Sequence, residues 1–185
     1  MDKLLSAMYF ATSKHSTQNR KDKITPYISH PLSVALLLST VTNDEDVIVA
    51  GILHDVLEES EATKHELSEI FGSTVADIVD KCSEQDKTLS WSARKEEGLR
   101  KIKSMNYNAA LVKTADILHN TYDMVQKVRE YGVAFFGNFN TNGVSKIKYE
   151  QRRLAEFKKY HQNLPFLPKI ENNLASLEKS LNINH

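Results

Sequence analysis

The stretch "GILHDVLEES", residues 51–60, places an imidazole and three carboxylates at the end of an apolar run that begins at Val47. Four polar side chains follow that run: His54, Asp55, Glu58 and Glu59. His54 and Glu58 are four residues apart and share one face of a helix, as do Asp55 and Glu59. Because buried charge is costly unless it is paired or bound to metal, the pattern predicts a helix end that binds a metal.

The composition is that of a globular protein that needs no disulfide. The chain has 185 residues, of which 41% are hydrophobic and 26% charged, which suits one domain. Lysine plus arginine number 24, as do aspartate plus glutamate, so a duplex DNA or RNA partner is not expected, although a local cationic pocket for a small anion remains compatible. The single cysteine, Cys82, excludes a cysteine-rich zinc site. Residues 1–16 are too short and polar for a signal or membrane span, so we expect a cytoplasmic protein without a membrane partner.

Helical spacing of apolar residues dominates the chain, and glycine and proline are scarce, which predicts an all-α fold of about eight to ten helices. Polar residues 18–29 and 84–91 and the aromatic stretch 131–143 are predicted to be loops or turns. We expect one domain over residues 1–185, with a metal core within about 18–130 and C-terminal helices in 144–182 packed on it. Helices are predicted near residues 2–17, 31–40, 44–59, 63–71, 73–83, 92–104, 107–130, 144–162 and 169–182.

A metal needs more ligands than one helix end supplies, so other segments must contribute. His30 precedes Pro31 at a predicted helix start, and Asp116 lies inside the apolar run "ALVKTADIL". Alone, His30 would more often be a cap or a surface residue, and Asp116 a hydrogen-bonded helix residue. Together with His54 and Asp55 they form a mixed set of nitrogen and oxygen ligands, which suits Mn²⁺, Fe²⁺ or Zn²⁺ better than calcium.

Four segments in order carry a resemblance to a known family: "QNRKDKITPYISHPLSVA" (18–35), "AGILHDVLEES" (50–60), "EIFGSTVADIVDKCS" (69–83) and "LVKTADILHN" (111–120). The chain resembles the HD-domain superfamily, and within it the hydrolase domain of RelA/SpoT-type enzymes and their stand-alone small alarmone hydrolases. The resemblance implies an all-α HD bundle with one Mn²⁺ per chain. The implied metal ligands are His30, His54, Asp55 and Asp116.

The same resemblance implies roles for the neighbouring residues. The pair Glu58 and Glu59 corresponds to the family's Glu-Asp pair, which activates the attacking water, and the second carboxylate is one methylene longer here. Three residues match positions that contact the nucleotide: Arg20, Lys21 and Asn120. Tyr122 stands where relatives often carry arginine. His119 is expected to be structural. The basic cluster Lys146, Lys148, Arg152 and Arg153 is expected to form a solvated helix face, although it could supply phosphate contacts if that helix borders the cleft.

The implied reaction removes the 3′-pyrophosphate from (p)ppGpp and yields GDP or GTP and pyrophosphate, so we expect degradation of the alarmone and not its synthesis. One alternative is a metal-dependent phosphohydrolase of another nucleotide, such as NADPH, a (p)ppApp-type alarmone or a nucleoside monophosphate. Another is a binding module that senses a nucleotide. The expected partner is a small nucleotide. The aromatic loop Tyr131–Phe139 could line the pocket or form a contact in a homo-oligomer, although packing of this loop on the core is favoured.

Overall fold

The structure is a computed structural model that describes residues 2–83, 88, 90–139 and 142–182. These residues form ten α-helices and a 3-10 helix over Val133–Asn138 and contain no strand, which confirms the predicted all-α class and number of helices. The α-helices are α1 Lys3–Lys14, α2 Ser29–Ser39, α3 Glu45–Leu53, α4 Val56–Glu59, α5 Lys64–Phe71, α6 Ser73–Cys82, α7 Trp91–Ile102, α8 Tyr107–Tyr131, α9 Gly143–Tyr160 and α10 Leu167–Ser180.

Short polar side chains begin several of these helices. The Asp44 carboxylate accepts from the Asp46 amide at the start of α3, and the Thr63 hydroxyl accepts from the Glu66 amide at the start of α5. Gly72 separates α5 from α6 at φ +90°, a left-handed conformation that side chains disfavour. Side-chain caps therefore begin α3 and α5, and Gly72 separates the two helices that were predicted over residues 63–71 and 73–83.

The predicted single helix over 44–59 is wrong, because the chain is interrupted at His54 and Asp55 between α3 and α4. His54 Nδ1 lies 2.8 Å from the carbonyl oxygen of Gly51. In a continuous helix that carbonyl would accept from the Asp55 amide, so the imidazole competes with the helix for its acceptor. The helix then restarts with the amides of Glu58 and Glu59 bonded to the Asp55 carbonyl.

Helix α3 lies in the middle of the bundle and contacts α1, α2, α6 and α8. Its contact with α2 is close, since a Cβ on Gly51 would lie 2.4 Å from Cδ1 of the buried Leu38. Helix α8 also packs on α2 and α6. The start of α2, the end of α3 and the middle of α8 are thereby brought together at one end of the core.

The C-terminal helices cover the other side of α8. Helix α10 packs on α8 and α9, and α9 packs on α7. The described part of the aromatic stretch forms the 3-10 helix, in which Phe135 and Phe136 are buried, so this stretch packs on the core as favoured. No helix among the described residues has the length and apolar character required to cross a membrane.

Candidate active site

Three separate parts of the chain supply one cluster of nitrogen and oxygen atoms. His30 lies in the first turn of α2, His54 and Asp55 lie between α3 and α4, and Asp116 lies in the middle of α8. The two Nε2 atoms are 3.2 Å apart, and His54 Nε2 lies 3.1 Å from Asp55 Oδ2. His30 Nε2 lies 3.4 Å from Oδ2 of Asp55 and 3.4 Å from Oδ1 of Asp116. The structure therefore brings together all four side chains that the sequence analysis named as metal ligands.

The chemistry of this cluster fits a divalent cation. His54 Nδ1–H is directed at the Gly51 carbonyl, so its Nε2 carries the lone pair in the neutral ring. That lone pair faces a second imidazole and two carboxylates in a buried part of the protein. These electron-rich groups repel one another unless a cation lies between them. Donors about 2.1 Å from an ion lie about 3 to 3.5 Å from their neighbours, which matches the distances observed. His30, His54 and Asp116 offer three donors within 4.8 Å of one another.

The carboxylates of the cluster are held in their charged form. Burial raises the pKa of Asp55, but the neighbouring His54 and His30 outweigh burial and keep the pKa well below its usual range. Burial also raises the pKa of Asp116, which Lys113 and the two imidazoles lower well below its usual range. Lys113 Nζ lies 3.1 Å from Asp116 Oδ2, so a buried ammonium balances part of the negative charge.

Further side chains orient the cluster from outside. The Tyr27 hydroxyl donates to Asp55 Oδ2 at 2.7 Å, and Asn120 Nδ2 donates to Asp116 Oδ1. His119 Nδ1 lies 2.8 Å from His30 Nδ1. Outer hydrogen bonds of this kind fix the orientation of side chains that bind metals.

The cluster lies in a cleft of about 680 Å³. Five predicted site residues line the same cleft: Arg20, Lys21, Glu58, Glu59 and Asn120. Arg20 donates to Asn120 Oδ1 at 2.8 Å and to Asp123 Oδ2 at 3.0 Å. Its guanidinium carbon lies 5.7 Å from the centre of the Tyr27 ring. The loop between α1 and α2 thus places a guanidinium next to Asn120, which bonds Asp116 of the cluster.

The two glutamates after the HD pair are fixed by the short helix α4. Gln18 Nε2 donates to the Glu59 carbonyl at 2.6 Å, and His15 Nδ1 lies 2.7 Å from Gln18 Oε1. Burial lowers the pKa of Lys113, but the attraction of Asp116 and, to a smaller extent, of Glu58 raises it above its ordinary value. Both glutamate side chains therefore face the cleft from a backbone that the α1–α2 loop holds in place.

A cationic wall faces the metal cluster across the cleft, and part of the prediction for this region is wrong. The side chains of Lys146 and Arg153 are only 24% and 12% exposed, and both pair with the buried Glu150. Arg153 also lies 3.9 Å from Asp116 Oδ2, so it belongs to the site and not to a solvated helix face. Arg152 does lie on the exposed face, where it pairs with Glu96. A cluster of basic residues in sequence did not reveal which members point inward.

Comparison with known proteins agrees with this geometry. A sequence model of the HD-domain family, described as "HD domain", matches residues 7–134. A MESH1 protein of Danio rerio, named guanosine-3′,5′-bis(diphosphate) 3′-pyrophosphohydrolase, is 39% identical over 140 residues, which cover 69% of this chain and 77% of the relative. The chain belongs to the HD-domain family and is a relative of MESH1.

Other HD-domain proteins extend the comparison. Homo sapiens MESH1 is 39% identical over 124 residues, covering 65% of this chain and 69% of the relative. A GTP pyrophosphokinase of Myxococcus xanthus is 34% identical over 171 residues, or 84% of this chain and 22% of that enzyme. The solved structure of a metazoan ortholog of SpoT shares the fold, with TM-score 0.76, 24% identity and coverage of 100% and 98% of the two chains. A Listeria monocytogenes protein, lmo0812, has TM-score 0.72 and 30% identity, with coverage of 82% and 97%.

Sequence reasoning missed several members of the HD-domain site. Tyr27, Lys113 and His119 all contact proposed metal ligands, although the last was expected to be structural. A signal existed for the first two, because Tyr27 lies inside the "PYISHP" segment and Lys113 precedes Asp116 by three residues. No local signal places the side chain of His119 on His30, because the two residues lie on different helices.

Proposed function

We propose that this HD-domain protein is a metal-dependent guanosine-3′,5′-bis(diphosphate) 3′-pyrophosphohydrolase. It hydrolyses (p)ppGpp to GDP or GTP and pyrophosphate. The observation that carries the proposal is the convergence of His30, His54, Asp55 and Asp116 on one point, with two glutamates and a cationic wall around the same cleft. The relationship to MESH1, whose name states this activity, selects the substrate.

The four converging side chains would hold one divalent ion, for which we propose Mn²⁺. When bound, the ion supplies a lower pKa for a water molecule and neutralises phosphate charge. Tyr27, Asn120 and Lys113 orient or balance the two carboxylates and keep them available as ligands. Mixed imidazole and carboxylate ligands suit Mn²⁺, and the metal dependence of activity tests this choice directly.

Glu58 is proposed as the general base, assisted by Glu59. The attacking water loses its proton to the carboxylate, and its oxygen forms a bond with the phosphorus attached to the ribose 3′ oxygen. The bond between that phosphorus and the 3′ oxygen breaks, and the departing oxygen takes up a proton to become the 3′-hydroxyl. The products are therefore pyrophosphate and a nucleotide with a free 3′-hydroxyl.

The charge of the cleft suits a nucleotide with several phosphates. Among the residues that the structure describes, nine lysine and arginine residues line it, against six aspartate and glutamate residues, although the whole chain has no net charge. Arg20 and Lys21 lie beside the metal cluster, where a guanidinium can grip a phosphate or stack on the purine. Tyr122 carries no positive charge and is exposed, so it does not supply the cationic contact that arginine would give at this position.

The proposal is tested by product analysis. The purified protein is incubated with ppGpp, ppApp or NADPH, with and without Mn²⁺, and the products are separated by chromatography. We expect GDP and pyrophosphate from ppGpp only when Mn²⁺ is present. His54→Ala serves as the control, because it removes a donor from the metal cluster and should abolish cleavage.

Two other outcomes would decide between the alternatives. Consumption of NADPH or ppApp while ppGpp survives would keep the metal-dependent hydrolase and change its substrate. A protein that binds Mn²⁺ and nucleotide but cleaves none of the three nucleotides would support the sensor.

We also propose that residues 1–185 form a single domain, which the packing of α10 on α8 and α9 supports. We propose that this domain is cytoplasmic.

A further inference from the structure

We infer that His119 is a positioning residue of the metal site: its Nδ1 accepts a hydrogen bond from His30 Nδ1–H and keeps the lone pair of His30 Nε2 available to the ion. The inference rests on the proposed function, because it concerns the same metal. It adds a part that neither the motifs nor the donor cluster assigns.

Metal binding through His30 Nε2 would fix the direction of the hydrogen bond between His30 and His119. The two Nδ1 atoms are 2.8 Å apart, and the ring centres are separated by 4.8 Å. A neutral imidazole has one N–H donor and one acceptor nitrogen, so one of these Nδ1 atoms must donate and the other must accept. If His119 donated, His30 would carry its proton on Nε2 and could not bind a metal through that atom.

The position of His30 Nε2 excludes that second arrangement for the metal-bound protein. This atom lies 3.2 Å from His54 Nε2 and 3.4 Å from a carboxylate oxygen of Asp55. It is the atom that faces the donor cluster, and His30 is only 1% exposed, so the ring has no room to present another atom. His119 must therefore be the acceptor, with its own proton on Nε2.

The two imidazoles of the cluster are oriented by different kinds of acceptor. His54 is fixed by the backbone carbonyl of Gly51, which can only accept. His30 is instead oriented by the side chain of His119, which has two tautomers. His119 lies on α8, three residues after Asp116. Helix α8 thus supplies one ligand and orients a second ligand on α2, which couples the ligand geometry to the packing of these two helices.

The test compares two substitutions by isothermal titration of the metal-free protein with Mn²⁺. His119→Phe keeps a ring but removes the acceptor, and it should weaken Mn²⁺ binding about 10- to 100-fold. His119→Asn places an amide oxygen near the position of Nδ1 and should recover most of the affinity. His161→Phe is the matched control, because that histidine also bonds through its ring, to the Ile102 carbonyl, and lies outside the donor cluster.

Nitrogen NMR of the protein loaded with Zn²⁺ provides a second measurement that a merely structural role would not affect. We expect the wild type to carry protons on Nδ1 of His30 and on Nε2 of His119. A proton on Nδ1 of His119 would overturn the inference even if His119→Phe failed to fold. Thermal unfolding of the metal-free variants separates a loss of stability from a loss of metal affinity.

The failure of this inference can be told apart from failure of the proposed function. If His119→Phe binds Mn²⁺ as tightly as the wild type, while the wild type cleaves ppGpp, only the positioning role is overturned. If the wild type itself binds no divalent metal, the proposed function and the inference both fall. Weaker Mn²⁺ binding by His119→Phe, with recovery in His119→Asn, supports the inference whichever nucleotide is cleaved.

Discussion

Single side chains at the α3–α4 junction combine structural and chemical roles. His54 donates through Nδ1 to Gly51, which ends α3, and its Nε2 faces the donor cluster. Asp55 follows in the interruption, where its carbonyl bonds the first amides of α4 and its carboxylate accepts from Tyr27. Because His54 ends α3 and also supplies a nitrogen to the donor cluster, a substitution at His54 should alter both the end of α3 and the cluster.

Glu58 is the most direct test of the chemistry. Glu58→Gln keeps the size of the side chain but cannot accept a proton, so we expect kcat to fall about 10²- to 10⁴-fold. Mn²⁺ affinity and thermal stability should remain close to the wild type, as measured by titration calorimetry and unfolding. Glu59→Gln is the companion variant and should lose activity to the same or a smaller extent. A kcat of Glu58→Gln equal to that of the wild type would assign the base elsewhere.

Arg20 should act mainly in binding. Arg20→Ala removes contacts that hold the substrate in both the ground state and the transition state, so KM should rise more than kcat falls. The loss of a charge-assisted contact predicts a decrease in kcat/KM of about 10- to 100-fold. Steady-state kinetics with ppGpp measures this effect. Arg129→Ala, on the exposed part of α8 and outside the cleft, should leave both constants unchanged.

At the scale of elements, the site depends on the close approach of α2 and α3. Helix α2 contributes His30 at its first turn, and α3 leads into His54 at its end. Gly51 allows the two helices to meet, since the nearest atoms to an added Cβ would be Cδ1 of Leu38 at 2.4 Å and Cα of Ala35 at 3.5 Å. The distance between the two imidazoles is therefore set by packing one turn before the HD pair.

A pair of glycine substitutions tests this packing. Gly51→Ala should lower the free energy of unfolding by about 1–3 kcal/mol, because the buried Leu38 must move to admit the methyl group. Gly98→Ala, in α7, should raise it by about 0.5–1 kcal/mol, because an added Cβ meets only the Tyr149 hydroxyl at 3.4 Å and alanine favours a helix. Urea unfolding measures the free energy of unfolding of both variants, which should decrease for Gly51→Ala and increase for Gly98→Ala. Equal effects in the two helices would contradict the role of Gly51.

At the scale of the whole molecule, the C-terminal helix α9 is tied to the site by buried charge. Glu150, only 1% exposed, bonds Lys146 and Arg153, and Arg153 reaches Asp116 on α8. Burial raises the pKa of Glu150, but the attraction of Lys146 and Arg153 outweighs it and holds the pKa below its ordinary value of 4.5. The buried carboxylate therefore stabilises the attachment of the cationic wall.

Glu150→Gln should destabilise the protein by about 3–5 kcal/mol at pH 7, because it leaves two cations without their buried partner. A lowered pKa in the folded state gives stability that is fully present above pH 4.5 and is lost as the pH falls through the folded value. The difference from the wild type should therefore shrink below pH 4.5 in urea unfolding. Glu171→Gln is the control, since its pair with Lys158 is exposed and contributes little. A difference that persists unchanged at low pH would contradict this assignment.

The sequence by itself determined the helices, because periodicity and caps act within a few residues. Helices begin after Asp44 and Thr63, close to the predicted starts at residues 44 and 63, and the four residues that converge on one point could be named from three motifs. The all-α class followed from the periodicity, and the family was indicated by the resemblance of four motifs to the HD-domain superfamily. The roles of these site residues remain predictions that the proposed experiments test.

Only the tertiary structure decided which side chains surround the cluster. The contact of His119 with His30 joins residues 89 positions apart on different helices. The inward direction of Arg153 is set by the burial of Glu150 between helices. Such contacts form when distant helices pack, so a hydrophobic period can place a residue on a face but cannot identify its partner.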